Sequence, residues 1–385
     1  MRIKPSVLRF GVFIVVYYIA NCMYQSYMSL YYTAVGFTAA QMGVVNAGVA
    51  LVSMAAQPLW GTLGDRVRNR AGLIALLALA SGALAFAFRW FRAFLPLMLL
   101  SCLFSWFYTS VQPMGDSLLL PALDARGLPF GPFRLAGGLS FAVSGVIFGR
   151  LLDRPGRALM IPAYLAALCL ATAAATFTLP GAEVKAAQRR RLSFSELFKY
   201  RELMRLLAFM APVQITMGYF YTFFSPHFVS LPGGSSGRLG ICYFISAMSE
   251  VPFLLLSDKL FDRFGAGRLM RLSAVTLAVR WLIVGFAQNA WIVMASQALH
   301  GWGFIVMTVC MAKYISRAVP EELQASGQML LAIVSFGISR AVGNLGGGLL
   351  AGWMGRQNVF FVCAAVCAVT LLIGGRRVGG KAAKA

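Results

Sequence analysis

Five ionisable side chains lie inside long apolar stretches of this sequence. Charged groups are costly in the hydrocarbon core of a membrane, so such residues normally line a cavity, a proton path or a substrate path. Acidic and basic types occur together here, and a carboxylate near guanidinium groups binds or releases a proton as its distance from them changes. The residues are Asp116, Glu250, Arg280, His300 and Arg340.

Glu250 is the first predicted proton carrier, with Arg280 and Arg340 as its counter-ions or as the groups that hold an acidic substrate. His300 is a candidate proton relay, because imidazole titrates near neutral pH. It is equally compatible with a hydrogen-bonded substrate contact. A permanent buried ion pair that joins three helices would produce the same pattern.

Asp116 is the second predicted proton-linked carboxylate. Arg134 opens the next apolar run, across a short loop, and is its expected partner. The pair either ties two helices together or breaks when one side of the protein opens.

Polar and aromatic residues also recur at steps of three and four, which places them on one face of a helix. Such a face cannot point at lipid without leaving amides and hydroxyls unpaired. It serves either interhelical hydrogen bonding or a substrate cavity. Aromatic rings and amides suit a neutral or weakly anionic solute such as a sugar, a nucleoside or an aromatic acid. The predicted cavity residues are Tyr17, Asn21, Tyr24, Gln25, Gln112, Gln214, Tyr221 and Gln297.

The elements that must position these residues are transmembrane helices. Of the 385 residues, 59% are hydrophobic and 12% are charged, against about 25% charged in soluble proteins. A helical span needs about 20 apolar residues. The predicted class is therefore an all-α membrane protein with twelve transmembrane helices. The apolar runs cover residues 9–33, 39–62, 71–89, 94–120, 133–150, 158–179, 204–230, 237–257, 269–287, 290–316, 326–351 and 358–375.

The net charge is +22. We interpret its distribution as an indication of how the protein is oriented in the membrane, not as a nucleic-acid binding surface. Most Lys and Arg residues lie in segments on the side of the two termini, and the positive-inside rule makes that side cytoplasmic. We expect a multi-pass protein of the bacterial inner membrane with both termini in the cytoplasm. The seven cysteines lie in apolar runs without metal-ligand spacing, so we expect neither a metal site nor a cofactor.

The chain divides into two similar halves. Residues 1–180 and 204–376 are predicted to form two pseudo-symmetric six-helix bundles, joined by a cytoplasmic loop at 181–203 and followed by a tail at 377–385. A charged hairpin between apolar runs occurs in each half, with the pair Asp65-Arg66 in the first and Asp262-Arg263 in the second. Duplicated halves are a transporter architecture. No motif of a membrane enzyme was found.

The first hairpin resembles the signature motif that the major facilitator superfamily carries between its second and third spans. The matching residues are Gly61, Leu63, Asp65, Arg66 and Arg70. Three further features resemble the branch that contains lactose permease, nucleoside permeases and phenylpropionate permease. They are Pro113-Met114-Gly115-Asp116, the run Phe130-Gly131-x-x-Arg134-x-x-Gly137, and Glu250 in span eight.

This resemblance implies a monomeric importer that couples a small organic substrate to the proton gradient across the lipid bilayer. Gly61 and Gly64 are expected to let the backbone turn tightly. The resemblance implies that the hairpin residues form a conformational latch; a solvated loop is the alternative. The predicted latch residues are Gly61, Asp65, Arg66, Arg70, Asp262 and Arg263. Two other functions stay open: a proton-antiporting exporter of lipids or drugs, and a non-transporting receptor.

Overall fold

The computed structural model of the protein describes residues 5–125, 127–179 and 194–375. Regular secondary structure in these ranges is helical, with no strand among them, which confirms the all-α prediction. The predicted central loop lies outside the described residues up to position 193, and the predicted tail lies wholly outside them.

The helices of the first half coincide with the first six predicted apolar runs. The first run contains a π-helical turn, and the fourth is divided at residues 109–110. The helices are α1 (Pro5–Cys22), the π turn Met23–Tyr27, α2 (Met28–Ala34), α3 (Ala39–Arg66), α4 (Arg70–Ala87), α5 (Phe94–Tyr108), α6 (Val111–Asp124), α7 (Gly131–Leu152) and α8 (Ile161–Phe177).

The second half contains one very long helix and two helices with irregular turns. The 51-residue helix covers two predicted runs and leaves helical geometry at Gly265, where φ is 71°. A π turn at Ile333–Ile338 joins the two helices of the eleventh run. The helices are α9 (Phe194–Leu197), α10 (Arg201–Ser230), α11 (Ser236–Phe286), α12 (Ala290–Ser296), α13 (Val306–Ala318), α14 (Glu321–Ala332), α15 (Ser339–Met354) and α16 (Val359–Gly374).

Many of these helices can cross a membrane. By length and composition, eight do so within the described ranges, or nine if the bent pair Ala290–Leu299 and Gly301–Ala318 forms one span. The long helix α11 is one of the eight, although its backbone breaks at Gly265. The protein is therefore a multi-pass helical membrane protein, and the count of twelve spans stays a prediction.

In the charged hairpin of the first half, the chain does not turn at the glycines. Gly61 and Gly64 lie inside α3, which continues to Arg66, so the predicted glycine turn is wrong. The helix instead stops over residues 67–69, and Asn69 caps α4 with its side-chain oxygen. A Cβ on Gly64 would lie 2.7 Å from Cε of Met114, so this glycine permits close packing against α6.

The charged segment of the second half is also largely helical. Asp262 and Arg263 both lie within α11, and the break comes at Gly265. Its φ of 71° is a left-handed value that glycine adopts without steric cost. The two charged segments thus differ in local structure, although they recur at corresponding places in the sequence.

The described chain forms two compact units. One contains the described parts of Met1–Phe37, Leu51–Gln188 and Ser236–Ile241, and the other contains Thr38–Ala50 with most of the second half. Two helices, α3 and α11, therefore contribute to both units. Apart from these exchanged segments, the units follow the halves of the sequence.

Candidate functional site

In the second unit, polar side chains from both parts of α11 meet the irregular helix α12–α13. Glu250 lies in α11 before the break at Gly265, and Arg280 lies after it. Between α12 and α13, a 3-10 turn at Gln297–Leu299 is followed by a π turn at Gly301–Ile305, and His300 stands between these turns. Departures of this kind from α-helical geometry are frequent at functional sites.

Three predicted residues are brought together here in a chain of contacts. Nε2 of His300 lies 3.3 Å from Oε1 of Glu250, and Nδ1 of the same ring lies 2.9 Å from Nη1 of Arg280. The imidazole ring therefore stands between the acid and the guanidinium group. Sequence analysis expected Glu250 to pair with an arginine, whereas Arg280 reaches it through the histidine.

These contacts favour one tautomer of the neutral ring. A guanidinium group only donates hydrogen bonds, so Nδ1 of His300 must accept one and carries no proton. In the neutral ring the hydrogen is then on Nε2, and this N–H donates a hydrogen bond to the Glu250 carboxylate. The side chain of Glu250 is 27% exposed and that of His300 is 7% exposed. Glu250 is therefore the more exposed of the two groups.

Arg280 is completely buried, and its charge is supported by polar and aromatic neighbours. Nη2 donates to Oε1 of Gln297 at 2.5 Å, and the guanidinium lies 4.4 Å from the ring centre of Phe220. Oε1 of Gln297 also accepts a hydrogen bond from Ser246. Buried charges need such partners, and contacts with aromatic rings stabilise cations. Gln297, predicted to line a cavity, is thus a buried support for Arg280.

Arg340 joins the same cluster through aromatic rings. Its guanidinium lies 4.6 Å from the ring centre of Tyr221 and 5.2 Å from that of Phe336. Tyr221 meets Phe304 edge-on at 5.9 Å, and Phe304 stacks on His300 at 5.6 Å. Tyr221 and Arg340 are therefore linked to His300 through Phe304, and their role as substrate contacts stays a prediction.

A second polar cluster lies in the first unit, around Tyr18. Nε2 of Gln112 donates to the Tyr18 hydroxyl at 2.9 Å, and Arg134 lies 5.4 Å from the Tyr18 ring centre. Asp116 is half-buried and interacts with both Gln112 and Arg134. Tyr18 was missed by sequence reasoning because it adjoins the predicted stripe without belonging to its three- and four-residue spacing.

Tyrosine rings extend this cluster along α1 and the π turn that follows it. Tyr17 stacks on Tyr108 at 5.6 Å, and Tyr24 meets Tyr108 at 5.2 Å. Two other predicted cavity residues are more accessible: Asn21 of α1 is partly exposed, and Gln25 of the following π turn is exposed. Gln214, the remaining predicted cavity residue, lies on α10 and is buried in the second unit.

The predicted latch residues form local contacts in each unit. Asp65 pairs with Arg70 at 2.9 Å, and Arg66 is exposed. Arg263 lies over the ring of Phe264 at 5.4 Å, while Asp262 pairs with Arg317 of α13. Whether these residues act as a latch stays a prediction.

The ion pairs of the second unit include residues that sequence reasoning missed. Asp258 contacts Lys313 at 2.5 Å and Arg317 at 3.1 Å. Both acids and both cations are spaced four residues apart, on α11 and α13 respectively. That matching spacing places each pair on one helix face, a signal for two charged faces that does not by itself predict their contact.

A protein-family model and several known transporters match this sequence along most of its length. The family model described as "MFS_1 like family" matches residues 7–362. The maltose permease of Geobacillus stearothermophilus is 31% identical over 353 residues, which are 88% of this chain and 86% of that protein. The "Probable 3-phenylpropionic acid transporter" of Escherichia coli (strain K12) is 26% identical over 359 residues, covering 91% and 92% of the two chains.

Solved structures show the same fold. The crystal structure of a point mutant of the nucleoside transporter NupG has a TM-score of 0.85 at 17% sequence identity. The match covers 96% of this chain and 98% of that one. The relatives are transporters rather than enzymes. Since the family match covers nearly the whole sequence, this chain belongs to the MFS_1 like family of major facilitator superfamily transporters.

Proposed function

We propose that this transporter is a proton-coupled symporter that imports a small organic solute by alternating access, with Glu250 as the proton carrier. The observation that carries the proposal is the contact chain from Glu250 through His300 to Arg280. In this proposal twelve spans form two six-helix bundles, and both termini lie in the cytoplasm of a bacterial cell. The protein acts as a monomer, with the proton gradient as its energy source and no cofactor.

The coupling step is proton binding to a carboxylate oxygen of Glu250. Before the proton arrives, the carboxylate accepts the Nε2 hydrogen of His300, and its charge balances that of Arg280 across the ring. Protonation removes the negative charge and weakens that hydrogen bond, because charged acceptors bind more strongly than neutral ones. If the substrate binds more tightly to the protonated form of Glu250, the proton also binds more tightly when the substrate is present. Both affinities change by the same coupling free energy.

The proposed substrates are sugars, nucleosides and aromatic acids. Relatives that match along most of the chain are named for maltose and for 3-phenylpropionic acid. Tyr221 and Tyr24, which are partly exposed, offer ring faces to a cyclic solute, and Arg340 offers a charge to a carboxylate. Asp116, near Arg134, is the second candidate for proton binding or gating.

Uptake by Glu250→Gln in proteoliposomes tests the proposal. Maltose, uridine and 3-phenylpropionate serve as radiolabelled probes, with an alkaline interior driving accumulation. The wild-type protein should accumulate at least one probe with proton influx. Glutamine keeps the shape of the side chain but cannot ionise. Accumulation of the probe above its outside concentration should therefore be lost, because an uncoupled carrier only equilibrates its substrate, while exchange of the probe persists.

Glu202→Gln is the matched control, because Glu202 pairs with Arg205 at 3.4 Å in an exposed position. This variant should accumulate the probe as the wild-type protein does. Full accumulation by Glu250→Gln would show that Glu250 does not carry the proton. Proton efflux during probe uptake would favour the exporter, and saturable binding without translocation would favour the receptor.

A further inference from the structure

The irregular helix beside His300 is held by a hydroxyl group of α11. Oγ of Ser249 accepts a hydrogen bond from the backbone N–H of Gly301 at 2.9 Å and donates to the carbonyl of Ser246 at 2.7 Å. Gly301 begins the π turn, directly after His300. The change from 3-10 to π geometry takes backbone groups out of the regular helical ladder, and a buried N–H group needs another partner.

The two backbones are in direct contact at this point. A Cβ on Gly301 would lie 2.1 Å from the carbonyl oxygen of Ser249, so no side chain fits there. Ser249 precedes Glu250 in α11, and Gly301 follows His300. The hydrogen bond between Ser249 and Gly301 therefore lies immediately beside the contact between the acid and the imidazole.

A second serine, one turn earlier in α11, is a weaker candidate for the same role. Ser246 donates to Oε1 of Gln297 at 3.2 Å, but that oxygen also accepts from Arg280. Removal of the Ser246 hydroxyl leaves Gln297 with its charged partner. Removal of the Ser249 hydroxyl takes away the side-chain acceptor that the N–H of Gly301 has in this structure.

We infer that Ser249 is a positioning residue for proton coupling: its hydroxyl holds the Gly301 backbone so that His300 stays between Glu250 and Arg280. This inference rests on the proposed function of that pair. Ser249 itself touches neither the proton nor the ring. Its loss allows the irregular turn to shift, and the His300 ring then loses the two contacts that select one tautomer.

The ring itself provides a readout that needs no substrate. The chain contains two histidines, so His227→Gln leaves His300 as the one imidazole. Nitrogen-15 NMR of histidine-labelled protein in lipid nanodiscs distinguishes a protonated Nε2 from a protonated Nδ1. In the His227→Gln background we expect a single tautomer near neutral pH, with the proton on Nε2. Adding Ser249→Ala should produce a mixture of both tautomers.

Two further variants separate positioning from general structural damage. Ser249→Thr keeps a hydroxyl acceptor and should restore the single tautomer. Ser140→Ala removes a half-buried serine whose hydroxyl donates to the Ala136 carbonyl of its own helix at 2.6 Å, and it should leave the spectrum unchanged. Ser249→Cys replaces Ser249→Ala if the latter does not elute as a monodisperse protein, because a thiol is a weak acceptor.

The inference is overturned if the folded Ser249→Ala or Ser249→Cys protein shows the same single tautomer as its parent. It is equally overturned if the parent carries its proton on Nδ1. Neither result depends on transport. Failure of the proposed function would appear separately, as absence of proton-coupled uptake in proteoliposomes that contain the wild-type protein.

Discussion

A histidine between a guanidinium group and a carboxylate behaves differently from a free imidazole. Arg280 occupies one ring nitrogen of His300 as a donor, and Glu250 occupies the other as an acceptor. A doubly protonated ring would place its Nδ1 hydrogen against the Arg280 donor. His300 therefore suits the transmission of the Glu250 charge state to Arg280 better than storage of a proton.

Arg280→Gln tests the support that this residue gives to the buried cluster. The variant removes the donor to Nδ1 of His300 and one of the two donors to Oε1 of Gln297, which keeps Ser246, and an unsatisfied buried acceptor costs about 1–3 kcal/mol. We expect a lower free energy of unfolding, measured as a lower midpoint of thermal unfolding in detergent. Arg205→Gln, which removes an exposed ion pair, should change stability by less than about 1 kcal/mol. Equal midpoints for the two variants would contradict this role of Arg280.

At the scale of helices, small residues set how closely the elements pack. In the first unit, Tyr27 donates to the carbonyl of Gly145 at 2.6 Å, and a Cβ on Gly240 would lie 2.2 Å from that same oxygen. In the second unit, a Cβ on Gly343 would lie 2.1 Å from the carbonyl oxygen of Ile215. The backbones of two membrane helices can approach this closely where one of them has a glycine at the contact.

Two glycines of α15 make a matched test of this packing. Gly343→Ala places a methyl group against the α10 backbone, and overpacking of this kind costs about 1–3 kcal/mol. A Cβ on Gly346 would meet no atom within 4 Å, so Gly346→Ala should be neutral or should stabilise the helix by about 0.5–1 kcal/mol. Thermal unfolding of both purified variants measures the difference. A midpoint for Gly343→Ala at or above that of Gly346→Ala would disprove the close contact.

At the scale of the whole molecule, orientation follows from charge and span number. An even number of spans places both termini on one side, and most of the basic residues are predicted to lie there. The helix at Ser236–Phe286 matters most for this count. It contains 51 residues, whereas a span needs about 20, so it is long enough to cross twice if the chain reverses at Gly265.

Cysteine labelling of intact cells tests the twelve-span topology. The topology places Gly156 outside the cell and both Arg68 and Arg263 inside it. An impermeant maleimide should therefore label Gly156→Cys in intact cells, and label Arg68→Cys and Arg263→Cys after the membrane is opened. The wild-type chain is the control, because its seven cysteines lie in helices and six of them are buried. Labelling of Arg263→Cys in intact cells would contradict the cytoplasmic position that the twelve-span topology gives this segment.

Much of the site could be predicted from residue types, but its contacts could not. Glu250, Arg280 and His300 were selected because ionisable groups are rare in apolar runs. Their pairing depends on the 3-10 and π turns of α12–α13, which rotate side chains away from regular helical spacing. Ser249 and Tyr18 were missed for a related reason: a hydroxyl in an apolar run has no distinctive spacing, and its partner is distant in sequence.

The sequence by itself determined the helical membrane class, the positions of the apolar segments and the transporter family, because the bilayer imposes length and hydrophobicity on each span. It also marked the residues whose burial requires partners. Only the tertiary structure decided which partners they have: His300 rather than an arginine against Glu250, Gln297 as a support for Arg280, and Lys313 and Arg317 against the acids of α11. Such contacts depend on distances of a few ångströms between helices, and these follow from the packing of the whole chain.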